Sequence, residues 1–265
     1  LGDQTVTARL KTGGTVTARL VVGADGQHSL CRTAAGISAE RRTYAQTAFA
    51  FNLRHARPHH DTSTEFHTES GPFTLVPLPG LRSSLVFVVD PSEAPILADL
   101  PDAAMADEIE RRSHSILGKI ELGPGRGAFP LALETARRFG AHRVALVGEA
   151  AHLMPPIGAQ GLNLGLRDAA AVGELATAAH RAGRDIGAED LIGRYESMRR
   201  ADIMSRTLAV DLVNQSLLSD FIPLQAGRGL ALFLMRRIGP LRRAAMREGV
   251  MPVASQPRLM RGEPL

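Results

Sequence analysis

Cysteine is almost missing from this chain: Cys31 stands alone, which excludes an internal disulfide and suits a reducing compartment. Lysine is nearly as scarce. Lys11 and Lys119 are the only two, so almost all positive charge is arginine, a bias read here as codon composition in an alanine-rich chain. Long hydrophobic runs are lacking; none approaches the roughly 18 residues of a membrane span. The first residues carry no signal-peptide pattern. Charge of one sign is not in surplus either: 31 basic against 27 acidic residues leave +4, too little to indicate nucleic acid. What is present is ordinary for a globular protein, with 44% hydrophobic and 22% charged residues. A length of 265 residues allows one large domain or two small ones.

Residues 148–168 read G-E-A-A-H-L-M-P-P-I-G-A-Q-G-L-N-L-G-L-R-D and are the most informative part of the chain. They follow Arg143–Val147, an apolar run expected to be a buried strand, and precede a long Ala/Leu-rich helical stretch. A strand, a Gly-rich turn and a helix start together favour an anionic or electron-rich ligand. Gly158 and Gly161 allow close backbone approach, and the free N–H groups of the helix point at the ligand. A second run, Val21-Val22-Gly23-Ala24-Asp25-Gly26 and on to Arg32, has the same strand–turn–helix form. Alone, Asp25-Gly26 is an ordinary turn ending a strand. Two such sites more than a hundred residues apart point to one extended ligand held at two places.

These residues carry a resemblance. G-A-D-G-x-x-S-x-x-R resembles the "DG" motif of flavin-dependent aromatic hydroxylases. G-E-A-A-H-x-x-x-P-x-G-x-x-G-x-N-x-x-x-x-D resembles their "GD" motif, with Glu149 where most members carry Asp. The resemblance implies FAD as cofactor and NAD(P)H as co-substrate. It places Asp25 and Gly26 at the middle of FAD and Glu149 at its ribityl chain, with Arg32, Gly148 and Ala150 also among the cofactor-binding residues. Pro155, Pro156 and Gly158 fall beside the isoalloxazine ring. Ala159, Gln160, Gly161, Leu162 and Asn163 aim backbone N–H groups at the flavin N1/O2 edge. His152 and Asp168 are expected to hold the motif's geometry rather than to perform chemistry. No catalytic acid–base pair is identifiable, and no metal site: His59 and His60 lack ligand spacing.

The implied fold is α/β (α+β): an incomplete FAD-binding Rossmann-like domain with an inserted antiparallel-sheet substrate domain and C-terminal helices. Residues 1–40 and 136–182 form the FAD-binding domain, 41–135 the substrate-binding sheet, 183–250 the C-terminal helices and 251–265 a loose tail. The twin hexapeptides Thr5–Leu10 and Thr15–Leu20 alternate apolar and polar residues and predict a hairpin. Ala45–Leu53, Thr62–His67, Phe73–Pro77 and Ser83–Val89 predict strands, and Pro101–Leu117 a helix. In the family a βαβ unit with G-x-G-x-x-G precedes the hairpin; this sequence has none, so an N-terminal segment is expected to be missing. Gly123–Ala128 has the nearest spacing, but Pro130 works against the helix such a fingerprint requires.

Within the family, Phe66–Leu78 and the "GD" variant resemble the ubiquinone-biosynthesis hydroxylases, as do 214–219 and 242–249. That branch implies hydroxylation of the ring of a polyprenylated phenol by O2, through a C4a-hydroperoxyflavin. A soluble aromatic substrate, a flavoprotein reductase, and a non-catalytic component of a biosynthetic complex remain alternatives. Pro223–Val250 combines leucines with Arg228, Arg236, Arg237, Arg242, Arg243 and Arg247. It reads either as a helix packed on its own domain or as a peripheral contact with anionic lipid. The expected location is cytoplasmic, with any membrane contact at the inner face.

Overall fold

The computed structural model describes residues 1–157, 160–217, 222–250 and 256–265. Two compact units make up the chain. Leu1–Arg42, Ala132–Asp211 and Gly229–Leu265 form the first; Thr43–Leu131 and Leu212–Arg228 form the second.

The first unit opens with the hairpin β1 (Val6–Arg9) and β2 (Thr15–Ala18), paired antiparallel with Val6 opposite Ala18. Its alternation sets the strands without sinking a face, because only Val6 is buried while Leu10 and Val16 are half exposed. β3 (Val21–Gly23) then leads through the Asp25–Gly26 turn into α1 (Leu30–Ala34). β4 (Ala39–His55) carries the chain into the second unit.

There β5 (Thr64–Thr68), β6 (Gly71–Leu78) and β7 (Arg82–Val89) form an antiparallel sheet in the order β4-β7-β6-β5. Period-2 alternation puts Phe49, Phe51 and Leu53 on one face, and the register sets Phe49 and Phe73 opposite Phe87. Phe49, Phe51 and Phe87 stack with centroids 5.4–6.0 Å apart, and Phe73 tilts against Phe87 at 5.5 Å. Burying each contributes about 1.5–3 kcal/mol. α2 (Ala94–Ala98) and α3 (Asp102–Arg112) follow, and Met105 and Ile109 of α3 join the same core. The helix expected over Pro101–Leu117 ends five residues early. His114 and Ser115 take left-handed φ values of 53° and 52°, and the Ser115 N–H returns to the Glu110 carbonyl.

β8 (Ile120–Leu122) pairs with β4, and β9 (Gly127–Ala136) returns the chain to the first unit. The Gly123–Ala128 run therefore feeds a strand, with the Arg126 guanidinium capping the Ala98 and Leu100 carbonyls. The first unit resumes with β10 (Gly140–Ala141), β11 (Val144–Leu146), a 3-10 turn at Gly148–Ala150, and β12 (His152–Leu153). Four helices follow: α4 (Gln160–Arg181), α5 (Glu189–Leu217), α6 (Ile222–Arg237) and α7 (Gly239–Val250). The single C-terminal stretch expected over Pro223–Val250 is thus two helices; Pro240 fits only the first turn of the second. The tail expected to be loose from Met251 carries a 3-10 turn at Arg258–Arg261. Its Arg258 N–H donates to Glu174 of α4 at 2.8 Å, which holds this segment down.

Candidate cofactor site

β3 and β11 lie side by side and parallel, with Val144 opposite Val21 and Leu146 opposite Gly23. The two sequence motifs, distant in the chain, therefore leave the same edge of one small sheet together. The Val147 N–H donating to the Gly23 carbonyl extends the pairing to the edge itself. Ligands of open parallel sheets bind beyond these carboxyl ends.

On the first strand, Gly26 holds φ at +77°, a turn conformation closed to other residues without strain. Asp25 turns back on the helix it precedes. Its carboxylate accepts the Ser29 hydroxyl at 2.6 Å and the Cys31 N–H at 3.0 Å, while Ser29 Oγ accepts the Arg32 N–H. Burial opposes ionisation of Asp25, but hydrogen bonds, led by those from Ser29 and the Cys31 N–H, outweigh it and hold the carboxyl below its ordinary range. Arg32 is a clamp. It donates to the Gln27 and Ala150 carbonyls at 2.8 and 2.9 Å and pairs with Glu134 of β9 at 2.6 Å. One side chain thus fastens the first motif to the second.

On the second strand, Gly148 takes φ +57°, and a Cβ at Gly165 of α4 would stand 3.2 Å from its Cα. The turn is packed directly against the α4 backbone. Asp168, with no solvent exposure, fixes that contact from inside α4. It accepts the Gly148 N–H at 3.1 Å, His152 Nε2 at 2.6 Å and Arg199 Nε at 2.7 Å. Burial raises its pKa, yet His152 and Arg199 more than compensate and the net shift is downward. Tyr195 of α5 donates its hydroxyl to the Leu146 carbonyl, anchoring β11; burial pushes that phenol well above its usual range.

Several features are left over for a ligand. Glu149 is exposed and makes no hydrogen bond or ion pair among the described residues. A Cβ at Gly161 would meet nothing nearer than Met154 Cγ at 3.9 Å, so the protein's own packing does not require glycine there. Leu162, in the first turn of α4, is 74% exposed. A free carboxylate, an uncrowded glycine and an unpacked apolar side chain around a helix start match the needs of a ring system carrying polar edges.

Other expected site residues are placed as follows. Ala150 and Pro155 are buried and Pro156 is exposed; the Gln160 side chain accepts Arg206 Nη1 at 2.8 Å, and Asn163 is half-buried. Gly158 and Ala159 lie outside the described residues. Asp25 and Arg32 have contacts within the fold that the motif reading did not foresee. Glu134, Arg199, Asp202 and Arg206 escaped it altogether. Glu134 carried no signal; the other three had only the R-x-x-D-x-x-x-R spacing over 199–206, which looks like a solvated helix face in a single sequence.

The family model described as FAD binding domain matches residues 2–208. The chain belongs to this family. Among curated relatives of this FAD-binding chain is a ubiquinone hydroxylase, UbiL, of Rhodospirillum rubrum. It is 42% identical over 264 residues, which cover 98% of this chain and 61% of the relative. The 3-demethoxyubiquinol 3-hydroxylase of Escherichia coli is 32% identical, over 90% of this chain and 61% of its own length. The chain therefore spans about three-fifths of these relatives. Among solved structures, Pseudomonas aeruginosa PqsL in complex with 2-aminobenzoylacetate superposes with a TM-score of 0.69 at 25% identity, over 80% of this chain and 59% of that one. A Klebsiella pneumoniae HpxO variant complexed with FAD gives 0.72 at 20% identity, over 95% of this chain and 66% of that one; it shares the fold.

Proposed function

We propose that this chain is the greater part of an FAD-dependent monooxygenase that hydroxylates the ring of a polyprenylated phenol in ubiquinone biosynthesis. NAD(P)H and O2 are its co-substrates. The observation that carries the substrate class is the 42% identity to the Rhodospirillum rubrum ubiquinone hydroxylase across 98% of this chain. FAD, once bound, supplies the redox chemistry that reduces and activates oxygen. The residues described here do the rest. Glu149, free of other partners, accepts hydrogen bonds from the ribityl hydroxyls. Gly161 would leave room for the ring, Leu162 would pack on it, and the first N–H groups of α4 would meet its polar edge. Asp25 orders its turn and presents it to the middle of the cofactor. Complementation tests the reading: the polypeptide as encoded should restore ubiquinone to a bacterial strain lacking a ring hydroxylase. Failure to do so, with full FAD loading and activity on a soluble phenol, would move the substrate to a soluble aromatic compound.

The same reading includes a peripheral membrane contact. A polyprenylated substrate partitions into the bilayer, and no described helix is long and apolar enough to cross a membrane. In α6 and α7, Leu230, Phe233, Leu241 and Met246 are exposed beside exposed Arg236, Arg237, Arg242 and Arg243. This pairing of apolar and cationic side chains suits an anionic lipid surface, at about 1 kcal/mol per arginine. Co-sedimentation with anionic liposomes should fall with added salt and with glutamate at those four arginines. Equal recovery of both proteins would return the helices to packing roles.

A further inference from the structure

Arg167 lies on α4 beside Asp168, and its side chain is 2% exposed. Its nearest carboxylate is Asp202, 2.9 Å from Nε, and that carboxylate is already taken twice. Arg206 Nε donates to Asp202 Oδ1 at 2.8 Å, and Arg199 Nη1 to Oδ2 at 2.8 Å. Asp168, the other buried acid here, is occupied by Arg199, His152 and the Gly148 N–H. Arg167 Nη2 has no hydrogen-bond partner although buried, and Nε meets the shared Asp202 Oδ2 only as an ion pair outside good hydrogen-bond geometry. Burial, reinforced by Arg206 and Arg199 and opposed by Asp202, lowers the Arg167 pKa. It stays charged, because a guanidinium does not deprotonate in proteins.

A buried cation sharing an already occupied carboxylate is costly, and removing it strands no charge, because Asp202 keeps Arg199 and Arg206. Arg167 lies on the helix that begins at the candidate cofactor site. Seven residues, about 10 Å at 1.5 Å per residue, separate Arg167 from Gln160 in the first turn.

We propose that Arg167 is an electrostatic component of the cofactor site. Its under-compensated buried charge adds to the positive end of α4 and favours the reduced, more negative form of the flavin. This rests on the FAD reading above. Arg167 does not touch the cofactor; it acts through the field along α4. A unit charge at about 10 Å in an effective dielectric near 20 changes an equilibrium constant by at most on the order of tenfold, Asp202 at 2.9 Å offsetting part of the field.

The experiment is a dye-coupled reductive titration of the FAD-loaded polypeptide as encoded, with thermal unfolding of each variant alongside. Arg167→Met should weaken binding of reduced relative to oxidised flavin by at most on the order of tenfold, about 30 mV for a two-electron couple. The variant should melt no lower than the parent. Arg167→Lys should keep the parent potential. Asp202→Asn, which removes the opposite charge from the same cluster, should move the potential the other way. An unchanged potential in Arg167→Met, shifts of one sign in both neutralising variants, or a fallen melting temperature in Arg167→Met would overturn the inference. Failure of the unaltered protein to retain any flavin would instead overturn the FAD reading, and this inference with it.

Discussion

Asp168 makes three hydrogen bonds in a place water does not reach, so its charge is both necessary and exposed to loss. Asp168→Asn leaves Arg199 buried without its main counter-ion and should cost about 3–5 kcal/mol in urea unfolding. Its folded pKa is depressed, so the stabilisation is present above the unfolded value near 4 and disappears as pH falls through the folded value. Stability measured downward from pH 5 should drop more steeply in the parent than in the Asn variant. Asp185 is a solvated contrast. Arg143 holds it bidentately at 3.0 and 2.5 Å, and its carboxyl falls to about 2. Its stabilising share is present above pH 4 and vanishes toward pH 2, a small effect because the group is 39% exposed. Arg143→Ala should raise the Asp185 titration, followed by carboxyl NMR, toward its ordinary range but not fully to it, because the Gly187 N–H still donates to the same carboxylate at 3.1 Å. Glu149→Ala should lose about 1.5–3 kcal/mol of FAD affinity per missing hydrogen bond, with Glu149→Asp close to the parent. Equilibrium dialysis distinguishes these, and unchanged affinity in the Ala variant would misplace the ribityl chain.

α5 shows what helical periodicity catches and what it misses. Leu191 and Tyr195, one helical turn apart, are buried. Farther along, Leu208 and Leu212 are more than half exposed, while Arg199, Arg206, Thr207 and Asn214 are inside. A hydrophobic repeat cannot announce a face that buries guanidinium groups against carboxylates on the same and a neighbouring helix. Ile203→Ala should therefore cost about 2–5 kcal/mol, whereas Leu208→Ser should stay within about 0.5 kcal/mol. Thermal and urea unfolding would check both. The opposite lesson comes from the sheet of the second unit. There, alternation in 83–89 matched β7 closely and that in 45–53 fell inside the longer β4, because one face buries apolar side chains alone, Phe49, Phe51, Leu53, Leu85, Phe87 and Val89.

Across the molecule, the cofactor features gather in the first unit and the aromatic core in the second. FAD added to the polypeptide as encoded should slow amide exchange at 148–150, at the start of α4 and at β3. The Phe49–Phe51–Phe87 strands should respond far less. At a hundredfold excess over Kd, binding adds about 2.7 kcal/mol to the stability of whatever it holds. Exchange mass spectrometry resolves the two units, and equal protection of both would argue against a site confined to the carboxyl ends of β3 and β11.

Read by itself, the sequence determined the two motifs, their strand–turn–helix setting, the FAD-binding family and the antiparallel sheet between them. Each of these is written in local chemistry: glycines where a turn needs positive φ, period-2 phenylalanines, an Asp-Gly pair before a helix. Only the tertiary structure decided that β3 and β11 are parallel neighbours, since pairing partners more than a hundred residues apart leave no local trace. It alone decided that Arg32 joins the motifs, that Asp25 caps α1 and that Glu149 keeps a free carboxylate. It also decided that Arg167, Arg199 and Arg206 crowd two aspartates in the interior. An arginine's burial depends on which acid reaches it from another element, and a single chain of letters does not say which one will.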